Sequence, residues 1–114
     1  MKSSYQKGLI GEELALDYLQ KQGYTLLQQR YTTCHGEIDL IVEKDSRIIF
    51  VEVKYRPKGC LGEGASAITQ SKKKKILLAV EQYLMEHQIH HCPLQIDVIE
   101  INQEGLWHIE NAFS

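Results

Sequence analysis

The sequence predicts an α/β protein in which a mixed β-sheet is flanked by helices, in the order α-β-β-β-α-β. Two segments show the apolar period of roughly 3.6 residues that marks amphipathic helices, and the segments between and after them are rich in β-branched residues. The second helix would be the crossover between two neighbouring strands, which predicts that these strands run parallel. No repeat or linker divides the 114 residues, so we expect a single domain over residues 1–114.

The first helix is predicted over residues 4–22, with Ser3 or Ser4 as its N-cap and Gly23 as its C-terminal stop. Glu12 lies within the apolar arc of this helix, where a carboxylate is costly unless it has a partner. We therefore expect Glu12 to face inward and to be partnered. The apolar residues of this face are Tyr5, Leu9, Ala15, Leu16, Tyr18 and Leu19.

Three strand-like runs follow the first helix, at Tyr24 to Gln29, Glu37 to Glu43 and Arg47 to Lys54. Lys44-Asp45-Ser46 joins the second and third runs and is typical of a hairpin turn. Residues 55–66 contain three glycines, which predicts a mobile loop.

The second helix is predicted from about Thr69, its N-cap, to about His87. Leu94 to Ile101 then forms a strand, and Leu106 to Ile109 can pair with it across a turn. The buried stripe of the second helix is expected to contain Ile76, Ala79, Val80, Tyr83 and Leu84.

The charge of the chain is unevenly distributed along the sequence. The formal net charge of −2 argues against strong, indiscriminate DNA binding, but the stretch from Lys54 to Lys75 has seven basic residues against one acidic residue. This asymmetry indicates one basic face that could contact phosphates, although Lys72 to Lys75 could equally be a solvated start of the second helix. The candidate nucleic-acid contacts are Arg56, Lys58, Lys72 and Lys75.

The cysteines and the hydropathy indicate the compartment of the protein. Cys34, Cys60 and Cys92 cannot all pair within the chain, so free thiols are the simplest interpretation. Adjacent ligands such as Cys34-His35 suit a tetrahedral zinc ion poorly. No segment approaches the roughly 18 consecutive apolar residues of a membrane helix, and the amino terminus lacks the apolar core of a signal peptide. We expect a cytoplasmic protein without a membrane partner.

Charged residues interrupt two of the predicted strands in a way that suggests a site. Side chains alternate between the faces of a strand, so Glu52 and Lys54 share a face with Phe50. By the same rule Glu37 and Asp39 share a face, opposite to Ile38, Leu40 and Val42. A hairpin can then bring Asp39 beside Glu52 and Lys54, and Glu12 could point at the same place.

Two or three carboxylates with an adjacent lysine suit phosphodiester hydrolysis. Carboxylate oxygens hold Mg²⁺ or Mn²⁺, which activates water and polarises a phosphate, and a lysine can stabilise the developing charge. Alternatively, Asp39 could be a lone acid, and Glu52 and Lys54 a charge pair on a solvated strand. Ile48 to Val53 has the composition of a buried central strand, where charges are costly without a purpose, and this favours a site.

The two motifs that carry these residues resemble a known family. Gly36-Glu37-Ile38-Asp39-Leu40-Ile41 and Phe50-Val51-Glu52-Val53-Lys54 are similar to the YraN-like family of uncharacterised proteins. That family belongs with the PD-(D/E)xK nucleases and is similar to archaeal Holliday junction resolvases. The resemblance implies a restriction endonuclease-like core and Mg²⁺-dependent or Mn²⁺-dependent cleavage of DNA, with branched DNA as one candidate substrate.

Site roles follow from the resemblance position by position. It implies that Asp39 and Glu52 are catalytic and bind the metal, that Lys54 is the catalytic lysine, and that Glu12 is a further metal residue. The chain departs from the family at Arg30-Tyr31-Thr32, where Asn-x-Arg is common, and at Gln95-Ile96-Asp97, where Arg-Phe-Asp is common. Each departure removes a basic residue.

Two functions remain open: a metal-dependent DNA endonuclease, and a nucleic-acid-binding or assembly protein with weak or no catalysis. Intact acids favour the first function, and the lost basic positions favour the second. DNA is the expected partner in both cases, and a homodimer is left open.

Overall fold

The fold is seen in a computed structural model that describes residues 4–58 and 69–113, without the side chains of Ser4, Tyr5 and Lys7. The described residues form two helices and five strands, which are α1 (Ser4–Lys21), β1 (Thr25–Thr32), β2 (Glu37–Lys44), β3 (Arg47–Arg56), α2 (Gln70–Glu86), β4 (Gln95–Asn102) and β5 (Gly105–Ile109). The sheet order is β1-β2-β3-β4-β5, with β3 and β4 parallel and all other neighbours antiparallel. The predicted α/β class, element order, parallel crossover and mixed sheet are confirmed.

The helices cover opposite faces of the sheet, so the described residues form one hydrophobic core on each face. The core under α1 contains Ala15, Leu19, Leu40, Val42, Ile49, Val51, Ile99 and Ile101. The core under α2 contains Tyr31, Ile38, Ile41, Phe50, Ile76, Ala79, Val80, Tyr83 and Ile96. The central strand β3 contributes side chains to both cores, as expected for a strand that is covered on both faces.

Helix α1 ends where the sequence predicts and lies very close to β3. Gly23 has a φ of +95°, and its N–H donates to the carbonyl of Gln20 at 3.1 Å, which closes the last turn. A Cβ atom at Gly11 would lie 2.5 Å from the Cβ of Tyr55, so only glycine permits this approach. The contact places the next residue, Glu12, against the sheet. Ser3, a predicted N-cap, lies outside the described residues.

The hairpin between β2 and β3 forms at the predicted turn. Asp45 and Ser46 have φ values of +53° and +64°, and Lys44 pairs with Arg47. Two central residues with positive φ define a type I′ turn, whose twist matches that of the flanking strands.

Strands β1 and β3 are longer than the sequence predicts. Strand β1 continues beyond Gln29 to Thr32, because Thr32 pairs with Glu37 across a tight turn. Strand β3 continues to Arg56, which pairs with Asn102 of β4, so the predicted loop begins later than residue 55. The remainder of that loop, residues 59–68 with Cys60, lies outside the described residues.

Helix α2 begins at the predicted cap. The Thr69 hydroxyl accepts a hydrogen bond from the Lys72 N–H at 3.1 Å, and His87 caps the other end. Four of the five residues of the predicted stripe are buried, and Leu84 is half-buried at its edge. Neither helix, over the residues that the structure describes, is long and apolar enough to cross a membrane.

A buried carboxylate ties the last strand and the segment after it to β4. Asp97 is fully buried and accepts hydrogen bonds from the Gln95 amide at 3.0 Å, the His108 ring at 2.7 Å and the Asn111 N–H at 3.1 Å. The other nitrogen of the His108 ring contacts the Tyr18 hydroxyl at 3.0 Å. These bonds satisfy the charge of Asp97, so we assign it a structural role.

Candidate metal centre and active site

The candidate site lies where β2 and β3 separate. The antiparallel pairing of these strands ends at Leu40 and Val51, and beyond it the Asp39 carboxylate accepts a hydrogen bond from the Val53 N–H at 2.8 Å. A side chain therefore takes the place of a backbone partner. Separated strands leave room for a ligand that a continuous ladder would exclude.

The sequence-based assignment of faces in β2 was wrong at this point. Ile38 was expected to share a face with Leu40 and Val42, but it packs in the core under α2, whereas the other two pack under α1. The alternation is lost at Asp39 because its side chain bonds to the backbone of β3.

Three carboxylates converge beside this opening. Ligand oxygens of Glu12, Glu37 and Asp39 lie within 4.8 Å of one another. Glu12 comes from α1 and is held near the sheet by the close approach at Gly11, while the other two acids come from β2. Glu37 was not predicted as a metal residue, although strand alternation had placed it with Asp39. Such a group of oxygen ligands suits a hard divalent cation.

Arg30 of β1 is a member of the site that the sequence analysis missed. Its Nε donates to Glu12 Oε1 at 2.7 Å. The inward position of Glu12 had indicated that a partner was required, but the pattern gave no signal for which cation supplies it. The expected partner thus exists, and it is a guanidinium.

Glu52 enters the site from the central strand and is almost completely buried. Its side chain is 5% exposed, and Oε2 lies 3.7 Å from Lys72 Nζ of α2. Its other oxygen, Oε1, is buried and has no hydrogen-bond partner among the residues that the structure describes. A buried carboxylate oxygen without a partner is costly, which is the feature expected of a ligand atom.

The electrostatics of the buried acids are strongly perturbed. Burial raises the pKa of Glu52 to about 8, and the negative charge of Asp39 adds to this effect, while Lys72 and Lys54 oppose it. Burial also raises the pKa of Asp39 to about 6, although the hydrogen bond from Val53 opposes the shift. Crowded carboxylates of this kind gain from a bound cation.

Lys54 is perturbed in the opposite direction. Burial lowers its pKa to about 8, and the positive charge of Lys72 lowers it further, while Glu52 and Asp39 oppose both effects. Lys54 lines a pocket of about 390 Å³ together with Gly8, Glu12, Asp39, Val53, Tyr55 and Arg56. The pocket thus combines three of the predicted site residues with one predicted phosphate contact.

The remaining predicted phosphate contacts differ in their surroundings. Lys75 lines a small pocket beside Gly36 and Glu37, and Lys58 is exposed two residues beyond the end of β3. Lys72 is 41% exposed and is already near a carboxylate in this structure. The predicted phosphate-binding roles of these residues and the predicted catalytic roles stay predictions.

Comparisons with known proteins identify relatives over most of the chain. A family profile described as "Uncharacterised protein family UPF0102" matches residues 11–101. A UPF0102 protein of Sulfurihydrogenibium sp. (strain YO3AOP1) is 38% identical over 109 residues, covering 96% of this chain and 95% of that protein. A UPF0102 protein of Neisseria gonorrhoeae (strain NCCP11945) is 40% identical over 109 residues, covering 94% and 95%.

A likeness to one solved structure is weaker. The structure of Pyrococcus furiosus SfsA in complex with Ca²⁺ matches with a TM-score of 0.37 and 12% sequence identity. The match covers 95% of this chain and 64% of that chain.

Proposed function

The chain belongs to the UPF0102 family, the YraN-like family whose motifs it carries, and we propose that it is a divalent-metal-dependent DNA endonuclease. One observation supports the proposal most: oxygens of Glu12, Glu37 and Asp39 converge beside the opening between β2 and β3, and Asp39 interacts electrostatically with Glu52 and Lys54. The buried Oε1 atom of Glu52 has no hydrogen-bond partner among the described residues. A structural charge pair would require neither the convergence of the acids nor the unpartnered oxygen.

The donor set fits Mg²⁺ or Mn²⁺. Asp39 and Glu52 would hold the ion, with Glu12 or Glu37 completing the protein ligands. Oxygens of Glu12, Glu37 and Asp39 already lie within 4.8 Å of one another, and carboxylate oxygens suit a hard divalent cation. When bound, such an ion lowers the pKa of water and polarises a phosphoryl oxygen. Glu52 must lose its proton to serve as a ligand. Because its pKa is raised, this loss depends on a nearby cation that favours the ionised form.

Lys54 supplies the proton chemistry that the chain itself contributes. With a pKa of about 8, its Nζ atom exists in both protonation states near neutral pH. The protonated form can donate to the negative charge that develops on the phosphate, and the neutral form can accept a hydrogen bond from water. Its position on the pocket wall with Asp39 gives it access to a phosphodiester there.

DNA is the proposed substrate, and branched DNA is the finer proposal that the family resemblance suggests. Arg56 lines the pocket, Lys58 follows it two residues later, and Lys75 lines a small pocket with Glu37, so a backbone that crosses the opening would meet positive charge. This arrangement supports binding through phosphates rather than through bases.

A second function, nucleic-acid binding or assembly without catalysis, is favoured by one feature. Arg30 and Lys72 each approach a carboxylate of the site, which lessens the need of the acids for a metal. Such a protein would retain DNA binding while its carboxylates served only structural ion pairs.

A cleavage panel tests the two functions. Single-stranded, duplex, flap and four-way DNA would be incubated with Mg²⁺ or Mn²⁺ and the wild-type protein, Asp39→Asn or Asp45→Asn. Asp45 lies in the exposed β2–β3 turn and is the matched control. We expect cleavage by the wild type and Asp45→Asn only. Binding without cleavage by all three proteins would favour the second function.

A further inference from the structure

Two basic side chains approach carboxylates of the candidate metal centre from different elements. The Arg30 guanidinium of β1 is 2.7 Å from Glu12 Oε1, and the Lys72 ammonium of α2 is 3.7 Å from Glu52 Oε2. The side chains of Glu12 and Glu52 are 10% and 5% exposed, whereas those of Arg30 and Lys72 are 35% and 41% exposed, so each pair joins a buried acid to a partly exposed cation. Water screens such pairs less than it screens fully exposed pairs. Each cation thus lies beside an acid that the proposed function assigns to a metal and stabilises the ionised form of that acid.

The backbone of Arg30 is distorted in the strand opposite Asp39. Its φ of +47° lies in the left-handed region, which residues other than glycine rarely adopt. Gln29 pairs with Leu40 and Tyr31 pairs with Ile38, so Arg30 stands across from Asp39 in the register. Such a conformation is strained and tends to persist where it serves a site. Here it accompanies the contact of the guanidinium with Glu12.

A resident cation and a divalent metal exclude each other electrostatically. A carboxylate oxygen that accepts a hydrogen bond from a guanidinium is a poorer metal ligand, and a fixed positive charge a few ångströms away repels the ion. Lys72 acts in the same way on Glu52, whose other oxygen Oε1 is buried and unpartnered among the described residues. That oxygen provides an independent sign that Glu52 is poised for a further ligand.

We propose that Arg30 and Lys72 are resident counter-ions of the metal centre, which a divalent cation displaces and which then bind the phosphates of the substrate. The proposal rests on the proposed function, because it requires the metal centre. The consequence is that the substrate regulates metal affinity. Metal binding is weak in the free protein and becomes stronger when phosphates bind the side chains of Arg30 and Lys72. By linkage, a bound metal strengthens phosphate binding by the same factor.

Binding of Mn²⁺ alone, measured by calorimetry without nucleic acid, tests the inference. Arg30→Asn removes the charge, and asparagine tolerates the left-handed backbone better than most residues. Lys72→Met removes the second charge from a partly exposed helix position. Both variants should bind Mn²⁺ about threefold to tenfold more tightly than the wild type, since a like charge near the ion has gone.

Two controls separate charge at the site from charge in general. Lys21→Gln removes one positive charge from the exposed end of α1, where Lys21 pairs with Asp17, and should leave Mn²⁺ affinity unchanged. Arg30→Lys keeps the charge and should bind Mn²⁺ as weakly as the wild type. If Arg30→Asn does not fold, Lys72→Met carries the test alone.

The outcomes distinguish failure of the inference from failure of the proposed function. Equal or weaker Mn²⁺ binding by Arg30→Asn and Lys72→Met, with binding still lost in Asp39→Asn, would overturn the counter-ion role and leave the metal centre standing. Mn²⁺ binding that Asp39→Asn does not weaken, or no binding by any variant, would overturn the metal centre and the inference together.

Discussion

Replacement of Glu52 by glutamine should stabilise the metal-free protein at pH 8. Burial raises the pKa of this carboxyl from 4.5 to about 8, so the folded protein opposes its ionisation. Glutamine has nearly the same shape and carries no charge, and it therefore removes the cost of a buried negative charge while it preserves the packing of β3.

The sign and the size of the effect follow from proton linkage. Between pH 4.5 and about 8 the folded protein binds a proton that the unfolded chain has released, so the free energy of unfolding of the wild type falls as the pH rises. At about 1.4 kcal/mol for each tenfold difference in proton affinity, the upper limit is about 5 kcal/mol. Loss of the contact with Lys72 and relaxation around the site reduce this, and we expect a gain of about 1 to 3 kcal/mol.

Thermal unfolding followed by circular dichroism in a chelator measures this gain. For a chain of this size, Glu52→Gln should raise the Tm at pH 8 by about 5 °C or more, and the gain should shrink towards pH 5. Glu81→Gln, at an exposed position of α2, is the matched control and should change the Tm little at either pH. A lower Tm for Glu52→Gln at pH 8 would show that the pairing with Lys72 outweighs the cost of burial, and the reasoning would be refuted.

Three further predictions concern the separation of chemistry, substrate binding and stability. Lys54→Ala should reduce the rate of single-turnover cleavage by about 100-fold or more while the Kd for DNA stays within about twofold, because it removes a transition-state donor but only one of several phosphate contacts. Equal losses of rate and affinity would show that Lys54 is only a phosphate contact. Neutralising Arg56 and Lys75 together should weaken DNA binding and flatten its salt dependence by up to about 0.9 log units for each lost contact, and an unchanged slope in a binding titration would exclude them from the interface. Asp97→Ala should lower the free energy of unfolding by about 3 kcal/mol in urea, because the Gln95 amide, the His108 ring and the Asn111 N–H lose their common acceptor. Full stability would contradict the structural role of Asp97.

The order of the elements could be predicted because it depends on local pattern. The helical period of the second helix, its cap at Thr69 and the turn at Asp45 and Ser46 are all set by neighbouring residues, and each is found where expected. Glu52 and Lys54 were recognised because charges are exceptional in a strand that is otherwise apolar. The end of β3 was missed because its last pairs depend on β4, which is distant in the sequence.

The details of the site depend on contacts that a sequence pattern does not encode. The change of face at Asp39 arises from a bond between its side chain and the backbone of the neighbouring strand. Arg30 pairs with Glu12 at a point where the backbone of β1 takes the left-handed conformation. Arginine does not favour that conformation, so the sequence does not predict it. The pattern showed that an inward acid needed a partner, and only the arrangement in space identified it.

The most direct test of the central claim is the rate of single-turnover DNA cleavage as a function of Mn²⁺ concentration, on the best substrate of the panel. The wild-type rate should rise with Mn²⁺ and saturate, and Asp39→Asn should leave no cleavage above background at any concentration. Cleavage by Asp39→Asn at the wild-type rate, or wild-type cleavage that is independent of a divalent metal, would contradict the claim that these carboxylates form a metal-dependent active site.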